Sequence, residues 1–146
     1  MRTDQGFTLI ELIVTIAVVA IIAMIAAPSM SQLLVKQNLN KSTKELIHVL
    51  TEARAKAALD RREIKVRLNS SIENTSTQLN WMPSGKAVLK VASPPVTTIT
   101  FLPNGLVKET TIPSFTICDQ TSGSLSKTVS ISKMGTIQQV IEGTCS

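Results

Sequence analysis

An apolar segment long enough to cross a membrane follows a short polar leader at residues 1–6. Residues 7–27 carry Glu11 as their only ionisable side chain. A helix of that length at about 1.5 Å per residue spans roughly 31 Å, which matches a hydrocarbon core of about 30 Å. A carboxylate there costs roughly 2.5–3.5 kcal/mol on insertion scales, so we expect a partner or function to retain Glu11. The rival interpretation, a cleaved signal peptide, fits poorly because the leader is short and no small-residue cleavage site precedes residues 26–27.

The hydrophobic pattern changes after Pro28. A proline inside a continuing helix removes a backbone hydrogen bond, so we expect a kink there. Beyond it, apolar positions recur at spacings of 7, 4, 3 and 4, which is typical of one stripe of an amphipathic helix ending near Asp60. The stripe consists of Leu39, Leu46, Leu50, Ala53 and Ala57. The pattern predicts one long kinked helix with a membrane end and a domain end.

From residue 64 onward the hydrophobic period becomes 2, which indicates strands. Turn signals separate the alternating runs, and Asn104 with Gly105 and Met134 with Gly135 are typical of hairpin turns. The predicted strands are residues 64–68, 77–82, 86–92, 97–102, 114–118, 128–133 and 136–141. We expect an α+β fold in which an antiparallel sheet packs against the second half of the helix.

This pattern divides the chain into four parts. They are a leader at 1–6, a transmembrane and assembly helix at 7–30, an amphipathic helix at 31–62 and a β-rich globular domain at 63–146.

The formal net charge of +5 is unevenly distributed. Residues 31–68 contain nine Lys or Arg and four acids, whereas residues 69–146 contain five Lys, no Arg and four acids. The basic character therefore belongs to the helical stem, and a solvated helix face near a membrane accounts for it.

No set of residues supports catalysis. His48 is the only histidine and lacks cysteine or acid partners at metal-ligand spacing, and two cysteines are too few for zinc. No glycine-rich phosphate loop is present. We expect neither an enzyme nor a cofactor or metal.

Cys118 and Cys145 are the only cysteines. Two cysteines alone do not establish a disulfide, but an exported chain would preserve one, so we expect a bridge that fixes the C-terminus.

Glu11 suggests a mode of assembly. Cleavage after Gly6 would create a positive α-amino group on Phe7, four residues before Glu11. In a bundle of like helices that amine can neutralise the carboxylate of a neighbouring chain, and low dielectric would strengthen the attraction.

The segment GFTLIEL at residues 6–12 resembles the type IV prepilin signature. The resemblance implies that a prepilin peptidase cuts after Gly6 and that the new N-terminal Phe7 is methylated. It also implies that Glu11 guides docking into the pilus and that Pro28 marks a kinked or loosened part of the helix.

A second resemblance covers the domain. The segments ITFLPNG (99–105), FTICD (115–119) and VSISKMG (129–135), with the final Cys145, are similar to minor pilins of the FimT/FimU group, which are related to GspH-type pseudopilins. In that group the late glycine is often followed by arginine-x-arginine, a basic element linked to DNA binding. Thr136 and Gln138 stand at those places here, so Lys127 and Lys133 are the remaining candidates for weak DNA contact.

The resemblances imply a minor type IV pilin that primes pilus assembly and forms or links the pilus-tip complex, supporting twitching motility and adhesion. Its partners would be the prepilin peptidase, other minor and major pilins, and the inner membrane. Before assembly the domain would lie in the periplasm, and afterwards in the pilus at the cell surface. Two alternatives stay open: a pilus-tip DNA receptor for natural transformation, and a pseudopilin of type II secretion.

Overall fold

The computed structural model describes residues 7–90, 95–111 and 114–145, apart from the side chains of Ala27 and Pro28. These residues form one long helix followed by short strands. In chain order the elements are α1 (Leu9–Asp60), β1 (Ile64–Leu68), β2 (Gln78–Trp81), β3 (Val88–Lys90), β4 (Thr98–Phe101), β5 (Ser114–Cys118), β6 (Ser126–Ser130) and β7 (Ile141–Gly143). The chain divides into two compact units, one through Leu34 and one from Val35 to Ser146.

Local signals account for both ends of α1. At its start the Thr8 hydroxyl accepts a hydrogen bond from the backbone N–H of Glu11 at 3.3 Å, which satisfies one of the free donors of the first turn. At its end Arg61 adopts a left-handed backbone with φ of 52°. That conformation stops the helix, and a cation there complements the negative end of the helix dipole.

The second half of α1 supplies one side of the hydrophobic core. All five predicted stripe residues are buried, and their apolar partners come from the strands. The largest fully buried strand side chains include Ile64, Leu79, Ile99, Phe101 and Ile117. The predicted fold class, a long helix packed on a β-rich domain, is confirmed.

The first sheet has the order β2-β1-β4 and is mixed. β1 is antiparallel to β4 but parallel to β2, with Leu68 opposite Trp81. The antiparallel expectation therefore fails at this pair, because residues 69–77 cross back to the start of β1 instead of turning at its end. The loop also covers the open edge of β2, since Asn74 Oδ1 accepts a hydrogen bond from the backbone N–H of Asn80 at 2.7 Å.

The second sheet is antiparallel throughout and has the order β3-β5-β6-β7. Its last strand lies later than the predicted 136–141. After the isolated bridge between Ile131 and Ile137, the pairing shifts by one residue, so that Ile141 lies opposite Thr128. One extra residue of this kind is a β-bulge and moves later side chains to the opposite face, which explains why Ile141 is exposed.

The turn at residues 83–86 is held to the helix by polar contacts. The backbone N–H of Ser84 donates to Ser42 Oγ at 2.8 Å, and Ser84 Oγ donates to Glu45 Oε2 at 3.0 Å. Ser42 is fully buried, so this contact also satisfies a hydroxyl that would otherwise lack a partner in the core.

Two glycine turns meet beside the helix. Each is closed by a backbone hydrogen bond, from Gly105 to Leu102 at 2.8 Å and from Gly135 to Ser132 at 2.9 Å. Both glycines have positive φ, 78° and 73°, a conformation that glycine adopts without a side-chain clash. The turns are joined to each other, because the backbone N–H of Val107 donates to the Lys133 carbonyl at 3.1 Å.

The predicted disulfide is present. It links Cys118, at the end of β5, to Cys145, beyond β7, with the Cα atoms 5.9 Å apart and 27 residues of sequence separation. The backbone N–H of Cys145 also donates to the Ser124 carbonyl at 3.3 Å. The C-terminal segment is therefore fastened to the second sheet at two points.

We expect Gly135→Ala to destabilise the domain strongly. A Cβ at Gly135 would overlap the Gly105 carbonyl oxygen, and the left-handed backbone alone costs a non-glycine residue about 1–2 kcal/mol. Urea unfolding of the detergent-solubilised chain measures the loss. The matched control is Gly143→Ala, whose Cβ would meet only Ser126 Oγ at 3.4 Å and should stay within about 1 kcal/mol of wild type. Equal effects at both positions would contradict the role of the paired turns.

Breaking the disulfide with Cys118→Ser and Cys145→Ser together should lower the free energy of unfolding by about 3–4 kcal/mol, since the bond closes a 27-residue separation in the unfolded chain. Non-reducing mass spectrometry of the exported wild-type protein should find no free thiol. Free thiols at both cysteines would show that the bridge does not form in the cell.

Candidate functional site

The first unit presents an apolar surface on every side. Its large apolar side chains are exposed all around the helix, and Phe7 just before it is 86% exposed. By length and composition α1 could cross a membrane, and it is the only helix of that kind among the described residues. A helix that is apolar all round is stable only inside lipid or against other apolar helices.

Glu11 lies in the first turn of this helix, where its backbone N–H donates to the Thr8 hydroxyl. Thr8 and Glu11 form a T-x-x-E pattern at a helix start, a capping-box sequence that was not among the sequence-based predictions. A negative charge at this end also complements the positive end of the helix dipole. The residue predicted to pair with a neighbouring chain therefore lies where the helix itself favours a carboxylate.

The other predicted assembly residues are only partly covered by the structure. Gly6 lies outside the described residues, while Phe7 and Thr8 are non-helical residues just before α1. The helix is continuous from Leu9 through Pro28 to Asp60, but the side chain of Pro28 lies outside the description. The cleavage site, the methylated residue and the kink remain predictions.

Lys127 is committed to an ion pair. Its Nζ lies 2.8 Å from Glu142 Oε1 across the β6–β7 pair, and its side chain is only 23% exposed. The hydrogen bond and then the charge of Lys127 hold the pKa of the Glu142 carboxyl below its ordinary value, and the more distant charge of Lys36 acts in the same direction.

Lys133 also has a partner. Its Nζ donates to the backbone carbonyl of Glu109 at 2.6 Å, beside the second glycine turn. The structure therefore does not combine Lys127 and Lys133 into one free cationic patch. A phosphate at either lysine would have to compete with an acceptor of the same chain, which weakens the predicted DNA contact.

A different cation stands out beside the two glycine turns. Arg54 projects from the helix onto both: a Cβ built on Gly105 would lie 3.3 Å from Arg54 Nε, and one on Gly135 would lie 3.1 Å from Arg54 Nε. The residue is half-buried, and within the described part of the chain its guanidinium makes no hydrogen bond or ion pair. In the sequence Arg54 directly follows Ala53 of the predicted stripe, and only the tertiary structure brings the two turns to it.

No metal centre is evident in the portion that the structure describes. Among residues 7–90, 95–111 and 114–145, no three His, Cys, Asp or Glu side chains come together as ligands. His48 is exposed on the helix, 3.9 Å from Glu52.

Family models match both parts of the chain. Residues 1–27 match the prokaryotic N-terminal methylation motif, and residues 42–135 match the type II transport protein GspH. The second match covers more than half of the chain and includes both glycine turns. A comparison with curated proteins gives no significant match.

Solved structures show the same fold. One crystal structure of the type IV minor pilin FimU from Pseudomonas aeruginosa superposes with a TM-score of 0.56 and 24% identity, covering 70% of this chain and 88% of that one. A second crystal form of FimU gives a TM-score of 0.51 and 25% identity, covering 68% and 90%.

The apolar N-terminal helix with its methylation motif, the GspH-type domain and the FimU-like fold are features of one group of structural subunits. The chain belongs to the GspH family, within the FimT/FimU/GspH group of type IV minor pilins and pseudopilins.

Proposed function

We propose that this protein is a minor type IV pilin that primes pilus assembly and forms or links the pilus-tip complex. The exposed apolar surface that precedes residue 27 carries the proposal. In this role the precursor is held in the inner membrane with its domain in the periplasm, is cut by prepilin peptidase between Gly6 and Phe7, and is methylated on Phe7. It then moves from lipid into a bundle of pilin helices at the cell surface.

The energetics of the N-terminal helix support this role. Each fully buried Val, Leu or Ile side chain contributes about 1.5–3 kcal/mol relative to exposure in water, and more than ten such side chains are exposed on residues 9–25. That surface requires lipid before assembly and neighbouring helices after it. A lipid-to-bundle transfer exchanges one apolar environment for another, so polar contacts and close packing must supply the preference for the bundle.

Glu11 supplies such a polar contact. In lipid the Glu11 carboxylate has no partner. In the bundle it can pair with the α-amino group of Phe7 on a neighbouring subunit of the same class. Because acid and amine are four residues apart on every subunit, the pairing suits subunits that are staggered along the filament. A mispaired subunit would leave a carboxylate and an amine unpaired in a low dielectric, which disfavours incorrect registers.

A pseudopilin of a type II secretion system is the second candidate, and the GspH model that matches residues 42–135 favours it. The two roles share the fold and the membrane helix but belong to different machines. Deleting the gene separates them: loss of surface pili and twitching supports the pilin role, whereas loss of protein secretion with normal pili supports the pseudopilin role.

The DNA-receptor alternative receives less support. Lys127 is paired with Glu142 and Lys133 with the Glu109 carbonyl, so the two lysines proposed to contact phosphate are both engaged. We therefore do not put it forward as the function.

Replacing Gly6 with a bulky residue such as Trp should leave the leader uncut, because a large side chain would stand where the prepilin signature has glycine. Mass spectrometry of the membrane fraction should then find an intact N-terminus. Gln5→Ala, a leader change beside the same bond, is the control and should be processed. Normal cleavage of Gly6→Trp would refute the prepilin assignment.

Glu11→Gln should permit cleavage yet reduce the amount of subunit recovered in sheared filaments by about tenfold or more, because it removes the charge that pairs with the neighbour's amine. Glutamine also suits the capping-box position, so the start of the helix is preserved.

The control for this prediction is Thr8→Val, which removes the cap but keeps the charge at residue 11. It should be cleaved and assemble nearly as wild type does. If Glu11→Gln assembled normally while Thr8→Val did not, the role of Glu11 would be in starting the helix and not in pairing.

A further inference from the structure

We infer that Arg54, held against the two glycine turns, is a docking site for an Asp or Glu side chain of an adjacent pilin-like subunit. The inference rests on the proposed function, since it requires neighbours of the same class, but it concerns the globular domain and not the membrane helix.

The side chain of Arg54 is held in place from two sides. Its Cγ, Nε and Nη2 lie 3.8, 3.3 and 3.9 Å from a Cβ built on Gly105, and its Cδ and Nε lie 3.1 Å from one built on Gly135. Any side chain at either glycine would press on the arginine, so the absence of Cβ atoms creates the space that it occupies. A guanidinium fixed in this way has already lost much of the rotamer freedom that binding would otherwise remove.

Three acids of the chain make contacts with groups other than Arg54. Asp60 pairs with Arg62 at 3.0 Å and Glu63 with Lys108 at 2.9 Å. Glu109 Oε1 accepts the backbone N–H of Thr100 at 2.9 Å, while Glu109 Oε2 is buried without a partner among the described residues. None of these acids is paired with Arg54, and the structure gives its guanidinium no other partner in the described part of the chain. A half-buried arginine whose guanidinium has no acceptor in the described part of the chain keeps its donors available for a partner.

The chemistry of the site fits a single carboxylate. Guanidinium presents a planar fork of donors that binds both oxygens of a carboxylate, and a fixed fork gains most from that geometry. A nucleic acid would instead require a run of free cations along its backbone, because its affinity comes from several neutralised phosphates. At the two glycine turns, Lys108 and Lys133 are tied to acceptors of this chain, so among the described residues there Arg54 is the cation that keeps its donors for a partner.

The position of the turns suits contact with a neighbour. Met134, next to Gly135 in the second turn, is 63% exposed, so an approaching subunit would meet an apolar side chain on the turn against which Arg54 lies. Apolar contact around a charge pair excludes water and strengthens the pair. Arg54 and Met134 together therefore define an acid-binding surface, which we call the Arg54 surface.

Arg54→Met tests the inference in the full-length protein, expressed in its own cells with its partner pilins. Methionine keeps an unbranched stem over the glycine turns but removes the charge. The matched control is Arg67→Met, which removes the same charge from an exposed site on β1. Both variants should be processed, and both should melt in detergent within about 2 °C of wild type.

We expect Arg54→Met to reduce the subunit recovered in sheared filaments by about tenfold or more, and Arg67→Met to leave it unchanged. A benzophenone amino acid in place of Met134 should cross-link to a pilin-like subunit at a peptide containing Asp or Glu, and Arg54→Met should abolish that product.

Three results would overturn the inference. Arg54→Met could assemble and cross-link as Arg67→Met does, it could melt well below wild type and so reveal a packing role, or the cross-linked partner could be nucleic acid. If the wild-type chain were absent from filaments, the pilin role would fail. The benzophenone cross-link from position 134, formed in the membrane, and its dependence on Arg54 would still decide the inference.

Discussion

The packing of one helix face against two sheets is the contact on which the rest of the domain depends. Leu46, Leu50, Ala53 and Ala57 are fully buried on that face, and Phe101 and Ile117 are fully buried on β4 and β5. The two alanines allow backbone and turns to approach closely, which places Arg54 against both glycine turns. A single helix thus begins with a surface suited to lipid and ends with one suited to a water-soluble core.

Under the proposed function, this division places assembly and partner specificity in different units. The first unit is apolar in all directions and carries one acid, so it favours a bundle of similar helices without selecting a particular partner. The second unit carries the turns, the disulfide and the Arg54 surface, whose guanidinium lies at one defined place on the domain. A subunit that must join one defined place in a filament requires both, because apolar packing alone does not distinguish among neighbours.

Much of this architecture could be predicted from sequence because its signals are local. The end of α1 at Asp60 and the strands at 64–68 and 114–118 agree with the structure, since each rests on a hydrophobic period and a nearby turn. The parallel β1–β2 pair and the bulge before β7 could not be predicted. Neither the choice of pairing partner nor a one-residue shift in register produces a hydrophobic periodicity in the sequence. Arg54 was missed for the same reason: its surroundings are two turns that lie about fifty and eighty residues later in the chain.

A cryo-electron microscopy structure of the assembled filament or its tip complex would test the central claim most directly, because it locates Glu11 relative to its neighbours. The account predicts that the Glu11 carboxylate lies within about 4 Å of the α-amino nitrogen of Phe7 on an adjacent subunit. A structure in which this subunit is assembled while Glu11 faces lipid or solvent, with no neighbouring amine, would contradict it.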